Sequence, residues 1–151
     1  MKSPFQILPF QDFSVDLLYN YLQLRSEVFV VEQNCVYQDL DDKDQKALHV
    51  VCLEGQQLIA CARILPAGIG HDAISIGRVI VKESFRKQAI GHRLMAYCLS
   101  EITDRFGPQQ IVLSAQAHLE KFYETHQFRK CSEPYLEDGI PHILMTYTPN
   151  S

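Results

Sequence analysis

Several kinds of segment are missing from this chain of 151 residues, and each absence argues against a class of protein. No stretch approaches the ~20 consecutive apolar residues of a membrane-spanning helix, so no membrane partner is expected. The N-terminal stretch MKSPFQILPFQDF lacks the apolar core of a secretory signal peptide, which predicts a cytoplasmic protein. No repeat or low-complexity segment interrupts the sequence, and we expect residues 1–151 to form a single domain.

Cysteine pairs with the spacing of metal or redox sites are also missing. The cysteines stand at positions 35, 52, 61, 98 and 131, and no two of them form a C-x-x-C pair. A zinc site needs paired ligands at short spacing, so no metal is expected. Cys52, Cys61 and Cys98 have apolar neighbours and are predicted to be small buried thiols, which suits a reducing cytosol.

An excess of positive charge is missing as well. The chain has 14 Lys and Arg against 18 Asp and Glu, a formal net charge of −4. Nucleic-acid binding requires a basic face, so we expect no nucleic-acid partner. The cationic, acid-free stretch RKQAIG at 86–91 therefore needs a local explanation.

Hydrophobic periodicity predicts a helix at each end of a first group of strands. Apolar residues recur every three and four positions over 15–30, after Ser14 as an N-cap. Two β-branched segments predict a hairpin over 47–65, and a third predicts a strand over 73–81. The apolar stripe that begins at Ile90 predicts a helix that ends at Gly107.

The remainder of the chain completes a mixed α/β sheet. We expect a strand over 109–115, a short helix over 118–127, and strands near 127–132 and 142–148 joined by the turn EDGIP. The segment YQDLDDKDQK between the first helix and the hairpin is polar and acidic. It is expected to be a solvated loop, although its charge would also suit attraction of a cationic amine.

The RKQAIG stretch joins a strand to the start of a helix, which is an arrangement suited to an anion. A helix N-terminus leaves backbone N–H groups unpaired and carries about half a positive charge. Arg86, Lys87 and Gln88 add side-chain donors, and Gly91 allows a ligand to approach the backbone closely. Phosphate would fit, but the turn is neither GxxxxGK[ST] nor GxGxxG. On these residues alone, a solvated helix start is an equally open interpretation.

This turn and the segments downstream resemble the GNAT superfamily of acyl-CoA-dependent N-acetyltransferases. The family motif [Gln/Arg]-x-x-Gly-x-[Gly/Ala] matches 86–91, and the family's Phe-Tyr helix matches Phe122-Tyr123. The longer strings LQLRSEVFVVEQNCVYQDLD, GRVIV, SAQAHLEKFY and EDGIPHILM resemble the ElaA-like subgroup, and the likeness covers nearly the whole chain. It implies the GNAT fold, a central and mostly antiparallel mixed sheet with a splayed parallel strand pair, flanked by helices.

Two positions depart from the family pattern. Ala89 stands where the motif has its first glycine, and we expect it to keep a negative φ if its amide is to serve a phosphate. Gln127 stands where a glycine usually precedes Phe128, so the short helix is expected to end differently here.

The resemblance implies that acetyl-CoA is the co-substrate. The backbone of Val79, Ile80 and Val81 would pair with the pantetheine amides, as an added strand does. The resemblance assigns the pyrophosphate to the turn, with side-chain and backbone donors from Arg86, Lys87, Gln88, Ala89, Ile90 and Gly91. His92 and Arg93 would either reach the outer phosphates or remain solvated.

The implied reaction is acetyl transfer from acetyl-CoA to a primary amine of a small molecule or a peptide. The amide of Ile80 would stabilise the oxyanion, and Tyr123 would protonate the leaving thiolate. An alkyl amine has a pKa near 10.4, so about 0.1% or less of it is neutral at pH 7 and a base is useful. Glu27 and His142 are the two candidates for that base.

The acceptor side is less sharply defined by the sequence. Glu32, Arg78 and His118 are candidates for binding the acceptor, Arg78 either by clamping a carboxylate or by pairing with an acid of the protein. A non-catalytic module that senses acyl-CoA and an enzyme similar to acyl-homoserine-lactone synthases are the open alternatives. A homodimer is expected only from the family resemblance.

Overall fold

The computed structural model describes residues 3–149, which form eight β-strands and three α-helices. The strands are β1 (Phe5–Pro9), β2 (Leu48–Glu54), β3 (Gln57–Leu65), β4 (Ile74–Val81), β5 (Ile111–Gln116), β6 (Phe128–Lys130), β7 (Tyr135–Glu137) and β8 (Ile140–Tyr147). The helices are α1 (Val15–Ser26), α2 (Ile90–Phe106) and α3 (Glu120–Glu124). Within the described part, no helix has the length and apolarity that crossing a membrane requires.

The strands form one mixed sheet in the order β1-β2-β3-β4-β5-β8-β6, and β7 also pairs with β8. Every pairing is antiparallel except that of β4 with β5, which is parallel. The expected mostly antiparallel mixed sheet flanked by helices is therefore confirmed.

Helices cover both faces of the sheet because successive side chains of a strand point to opposite faces. On one face, α1 packs Tyr21 and Leu24 against Cys61 and Ile80. On the other face, α2 packs a row of apolar side chains against β2, β3 and β4, namely Ile90, Leu94, Met95, Cys98 and Ile102. The predicted burial of Cys52, Cys61 and Cys98 is confirmed.

The first helix does not continue unchanged to residue 30. After Ser26 the chain widens into a π-type segment, Glu27–Glu32. The N–H groups of Gln33 and Cys35 donate to the carbonyls of Val28 and Val30, five residues back, at 3.2 and 3.0 Å. This segment follows α1 directly and lies beside the C-terminal end of β4. Such widened turns are frequent at functional sites.

The two parallel strands separate after a short contact. β4 pairs with β5 only at Ile74 with Ile111 and at Ser75 with Val112. On its other edge, β4 carries a bulge against β3, where Arg78 has φ +49°. A bulge bends its strand, so β4 turns away from β5 and a gap opens between their C-terminal halves. The splayed pair expected from the family resemblance is present.

Two strands were not predicted, and one turn was misassigned. β1 is a short strand at the edge of the sheet, and β7 precedes the EDGIP turn. That turn does not join 127–132 to 142–148. It closes a two-residue hairpin between β7 and β8, with Asp138 and Gly139 at φ +53° and +78°. Asp-Gly between two strands is a strong hairpin signal, so the sequence carried the information.

The acidic segment at 39–44 is not the solvated loop expected from its composition. Asp39 and Asp44 are only 6% and 4% exposed. Arg25 of α1, which is fully buried, binds Asp39 through Nε at 2.8 Å and Asp44 through Nη1 at 2.7 Å. Burial opposes ionisation of Asp44, but hydrogen bonds from Arg25 and Arg63 outweigh it and lower its pKa.

Two further arginines join this buried network. Arg63 of β3 binds Asp41 and Asp44 through Nη1 at 2.8 and 3.1 Å. Arg78, at the β4 bulge, binds Asp39 through Nε at 2.7 Å. Three arginines from three elements are therefore matched by three aspartates of one connecting segment, which ties α1, β3 and β4 together.

A buried histidine links the same segment to α1. His49 Nε2 lies 2.9 Å from the carbonyl oxygen of Asp44, which can only accept, so Nε2 carries the hydrogen. His49 Nδ1 therefore accepts from the hydroxyl of Tyr21 at 2.7 Å. Burial lowers the pKa of His49 and keeps the ring neutral.

Three residues that lack glycine's freedom have left-handed backbone conformations in the 86–91 turn and at the end of α3, namely Lys87, Ala89 and Gln127. Ala89, the N-cap of α2, has φ +60°, so the expectation of a negative φ is wrong. Gln127 has φ +70°, so α3 ends in the conformation a glycine would adopt, and the expected change in its ending is not found. Left-handed backbone costs a non-glycine residue roughly 1–2 kcal/mol.

Replacing Tyr21 by Phe should lower the free energy of unfolding by about 1–3 kcal/mol, because it leaves His49 Nδ1 buried without a donor. Urea unfolding monitored by circular dichroism measures this. Tyr19→Phe on the exposed side of the same helix is the matched control and should change stability by less than about 0.5 kcal/mol. Equal effects of the two variants would contradict the assigned hydrogen bond.

Replacing Ala89 by Gly should raise the free energy of unfolding by about 0.5–1 kcal/mol, since glycine adopts φ +60° without strain. Ala96→Gly, on the exposed side of α2, is the same change in an ordinary helical conformation and should lower stability by about 1 kcal/mol. Urea unfolding of both variants measures the pair. A loss of stability in both would show that Ala89 is not strained.

Candidate active site

A groove of about 550 Å³ runs along the C-terminal half of β4 and ends at the 86–91 turn. Val79, Ile80 and Val81 form the β4 side, the π-type segment contributes Phe29, and α3 contributes Phe122. We call this the long groove. The groove lies where β4 and β5 separate, so one edge of β4 is available for an extended ligand.

Unpaired backbone donors stand at the turn end of the long groove. The first helical bond of α2 runs from the N–H of Arg93 to the carbonyl of Ala89 at 3.2 Å, so the N–H groups of Ile90, Gly91 and His92 have no partner within the helix. No side chain caps this helix. A Cβ on Gly91 would stand 3.4 Å from the Phe122 ring, facing the groove. These donors can hold a phosphate group.

Arg86 ties the two walls of the long groove together. Its Nη1 and Nη2 bind Glu32 at 2.7 and 3.0 Å, and its Nε donates to the carbonyl of Val81 at 2.9 Å. Glu32 belongs to the π-type segment, on the opposite side of the groove from the turn. An anion that enters the groove therefore competes with Glu32 for the Arg86 guanidinium.

A pair of histidines lies beside the turn. Nδ1 of His92 is 3.0 Å from Nε2 of His126, and the His92 ring packs on Phe122 with 4.6 Å between centroids. Burial and the neighbouring His92 lower the pKa of His126. His92 lines the long groove, whereas Arg93 points its guanidinium over the ring of Phe5.

A second, polar cavity of about 290 Å³ opens from the long groove. Six residues line both, namely Phe29, Gln33, Val79, Gln116, Leu119 and Tyr123. We call it the polar cavity. Its far wall is the β7–β8 hairpin with Glu137, Asp138 and His142. The two spaces are continuous, so ligands in them would meet at the shared residues.

Tyr123 lies where the long groove meets the polar cavity. Its side chain is only 6% exposed and packs edge-on against Phe122, with 5.0 Å between ring centroids. Burial, with a smaller effect of the Cys98 thiol, raises the pKa of Tyr123 to about 12. The phenol therefore keeps its proton at neutral pH and is able to act as an acid.

His142 lines the polar cavity, and a hydrogen bond to the backbone fixes its ring. It is 7% exposed, and its Nδ1 lies 2.7 Å from the carbonyl oxygen of Ile140, so Nδ1 carries a hydrogen. Nε2 is then the nitrogen free to accept a proton. It lies 3.4 Å from Oε2 of Glu137, whose Oε1 is 3.4 Å from the hydroxyl of Ser114.

The other site residues predicted from the sequence do not lie together in one space. Glu27 lines neither space and lies 3.5 Å from Nζ of Lys82 on the outer surface. Glu32 and His118 line the long groove rather than the polar cavity. Arg78 lines the polar cavity but is paired with Asp39 and Asp41. Of its two predicted roles, pairing with an acid of the protein is therefore the one observed.

The residues of the 86–91 turn do not all reach the long groove. The long groove is lined by Arg86, Lys87, Ala89, Ile90 and Gly91, whereas Gln88 is not among its lining residues. Within residues 3–149, no cluster of three or more His, Cys, Asp or Glu side chains is arranged to hold a metal ion.

Sequence reasoning missed several residues of the site. Phe29, Gln33 and Gln116 carry no motif, since their place depends on the π-type segment and on the gap between β4 and β5. Glu137 and Asp138 were visible in principle, because the Asp-Gly hairpin signal places them opposite the start of β8.

The chain is similar to known proteins over nearly its whole length. The model of the acetyltransferase (GNAT) domain matches residues 15–149. Protein ElaA of Escherichia coli K12 is 44% identical over 142 residues, 93% of each chain. The crystal structure of E. coli ElaA has a TM-score of 0.89 and 42% identity, covering 95% of this chain and 97% of that one.

Two further solved structures have the same fold. An acyl-CoA N-acyltransferase from Pseudomonas aeruginosa has a TM-score of 0.90 and 38% identity, covering 95% of this chain and 98% of that one. A GNAT family acetyltransferase from Elizabethkingia anophelis with acetyl-CoA bound has a TM-score of 0.66 and 18% identity, covering 98% of this chain and 100% of that one, which shows the fold alone. With this family match over nearly its whole length, the chain belongs to the GNAT acetyltransferase family and is ElaA-like.

Proposed function

We propose that this protein transfers an acetyl group from acetyl-CoA to a primary amine. The observation that carries the proposal is the position of Tyr123, a buried and protonated phenol shared by the long groove and the polar cavity. The long groove is the proposed acetyl-CoA site, and the polar cavity is the proposed acceptor site. The reaction takes place where the two spaces meet.

The length and chemistry of the long groove support the assignment of acetyl-CoA. Pantetheine carries two amides, and the free edge of β4 at Val79 and Val81 can pair with them as with an added strand. Ile80, between them, directs its backbone groups to Cys61 of β3. The N–H groups of Ile90 and Gly91 receive the pyrophosphate. The distant relative from Elizabethkingia anophelis carries acetyl-CoA on the same fold, which is consistent with this placement.

His142 is the proposed base, and Glu27 is not favoured because it lies outside both spaces. The acceptor ammonium gives one proton to Nε2 of His142, and the neutral amine attacks the thioester carbonyl. Ile80 pairs with Cys61 of β3, and in the same register the N–H of Lys82 donates to the carbonyl of Ile59, so the N–H of Ile80 faces β3 and not the groove. A backbone N–H at the free edge of β4 is instead the proposed donor to the oxyanion. The attacking nitrogen, which still carries an extra proton in the tetrahedral intermediate, releases that proton to solvent. The carbon–sulfur bond then breaks, and the leaving thiolate takes the phenol proton of Tyr123. Solvent returns the proton from His142 to Tyr123.

Turnover is the experiment that separates this function from a module that only senses acyl-CoA. Purified protein is incubated with acetyl-CoA and a panel of primary amines, and CoA release is measured with a thiol reagent. Release that depends on the amine supports acetyl transfer. Binding of acetyl-CoA by calorimetry without any turnover would favour the sensing module, and the absence of binding would overturn the whole assignment.

Arg86→Ala should weaken acetyl-CoA binding about tenfold, because a charge-assisted hydrogen bond to phosphate contributes about 1.5–3 kcal/mol and part of it is offset by freeing Glu32. Glu32→Gln should tighten binding, since it removes the carboxylate that competes for Arg86. Calorimetric titration with acetyl-CoA, and with ATP as the control anion, measures both. Weaker binding in Glu32→Gln would instead assign Glu32 a direct role.

Tyr123→Phe should lower kcat about 100-fold while leaving the Kd of acetyl-CoA nearly unchanged, because it removes one proton and retains the ring. Tyr97→Phe, which alters a tyrosine on α2 outside both spaces, should leave kcat within twofold. Steady-state kinetics and calorimetry measure the two constants. An unchanged kcat in Tyr123→Phe would show that the thiolate leaves without this acid.

A further inference from the structure

We infer that the acceptor is a short cationic amine without a carboxylate, and that Glu137 is the residue that holds its ammonium group. This inference rests on the proposed function, since it names the substrate class of the polar cavity. It follows from which charges on the cavity wall are already paired and which remain available.

The arginines of the polar cavity already have carboxylate partners within the protein. Arg63 and Arg78 line the cavity, but each is held by carboxylates of the 39–44 segment at 2.7–3.1 Å. Nε of Arg63 has no partner, yet it is buried and closed to solvent, so a ligand cannot reach it. An acceptor carboxylate would compete with Asp39 and Asp41 for these guanidinium groups.

The carboxylates of the opposite wall are available. The Glu137 side chain is 49% exposed, and Asp138 stands beside it in the hairpin turn. Lys43 is the remaining flexible cation of the wall, and its Nζ is 3.9 Å from Asp41, on the arginine side of the cavity. The free charge that faces an incoming acceptor at the β7–β8 hairpin is therefore negative.

Glu137 and His142 form one polar corner of the cavity. Nδ1 of His142 donates to the Ile140 carbonyl, which leaves Nε2 facing Oε2 of Glu137 at 3.4 Å. A primary ammonium group placed in this corner can donate to both atoms. It would then lie beside the base that removes its proton.

The polar cavity, with a volume of about 290 Å³, has room for a small acceptor. A four-carbon diamine fits this space, with one ammonium group between Glu137 and His142 and the second attracted by Asp138. The same chain with a carboxylate in place of the second ammonium would face Asp138 with a like charge.

Three amines with the same four-carbon chain test the inference, namely 1,4-diaminobutane, butylamine and 4-aminobutyrate. Wild-type protein saturated with acetyl-CoA is assayed for CoA release with each amine. We expect kcat/KM to be highest for the diamine and at least tenfold lower for 4-aminobutyrate. Glu137→Gln, which keeps the side-chain shape, should reduce the diamine value about tenfold and raise KM more than it lowers kcat.

Glu133→Gln is the matched control, because Glu133 is an exposed carboxylate outside the polar cavity that undergoes the same change of charge. It should retain the wild-type order and rates. A second readout is independent of turnover. In protein loaded with CoA, the imidazole NMR signals that are absent from His142→Gln should shift at lower concentrations of the diamine than of 4-aminobutyrate.

The experiments test the proposed acceptor class separately from the proposed function. If 4-aminobutyrate equals or exceeds the diamine in both readouts, or if none of the three amines produces a response, the inference is overturned. Binding of acetyl-CoA by calorimetry in the same preparation then tests the proposed function separately. An equal effect of Glu137→Gln and Glu133→Gln would also overturn the assignment of Glu137.

Discussion

The ion-pair network of Arg25, Arg63 and Arg78 with the 39–44 segment is the constraint on which the rest of the structure depends. Each arginine comes from a different element, α1, β3 or the β4 bulge, and all three converge on one connecting segment. Desolvation of these charges is costly, and it is offset only while every partner is in place. The network therefore acts as a single geometric unit, and α1 cannot shift relative to β4 without exposing an uncompensated charge.

This rigidity has a direct consequence for the site. The bulge at Arg78 turns β4 away from β5, and the pairing of Arg78 with Asp39 holds the bulge in place. The gap that results leaves the edge of β4 open and joins the long groove to the polar cavity. Arg78 thus lines the polar cavity as a structural residue that is paired with Asp39. The opposite wall of the same cavity carries Glu137 and Asp138.

The charged pair at the long groove is less buried than the arginine network. Arg86 is held by a partly exposed pair with Glu32, and such pairs contribute little to stability because water screens them. The pair is thus suited to exchange, since another anion can replace the Glu32 carboxylate at small energetic cost. Strained φ angles at Lys87 and Ala89 shape the same turn. A backbone of this kind is typical of sites where the amides themselves contact the ligand.

The sequence by itself determined the main elements, the cationic turn and the family. Periodicity places α2 and β2 to β4 correctly, because apolar spacing is a local property of the chain. The motif residues Arg86, Lys87 and Ala89–Gly91 lie at the long groove for the same reason, since a strand, a turn and a helix start are contiguous in sequence. Tyr123 belongs to α3 and was assigned to the site by the family resemblance. The Asp-Gly hairpin was equally local and was overlooked.

Only the tertiary structure decided which charges are free and which are paired. Residues 39–44 look like a solvated acidic loop in sequence, but Asp39, Asp41 and Asp44 pair with arginines 14 to 39 positions away, and Asp39 and Asp44 are buried. Glu27 and His142 were equivalent candidates for the base, and the packing of α1 places one outside the site while the β7–β8 hairpin places the other inside it. Ion pairing and cavity walls depend on contacts between distant segments, and the local pattern of residues does not encode those contacts.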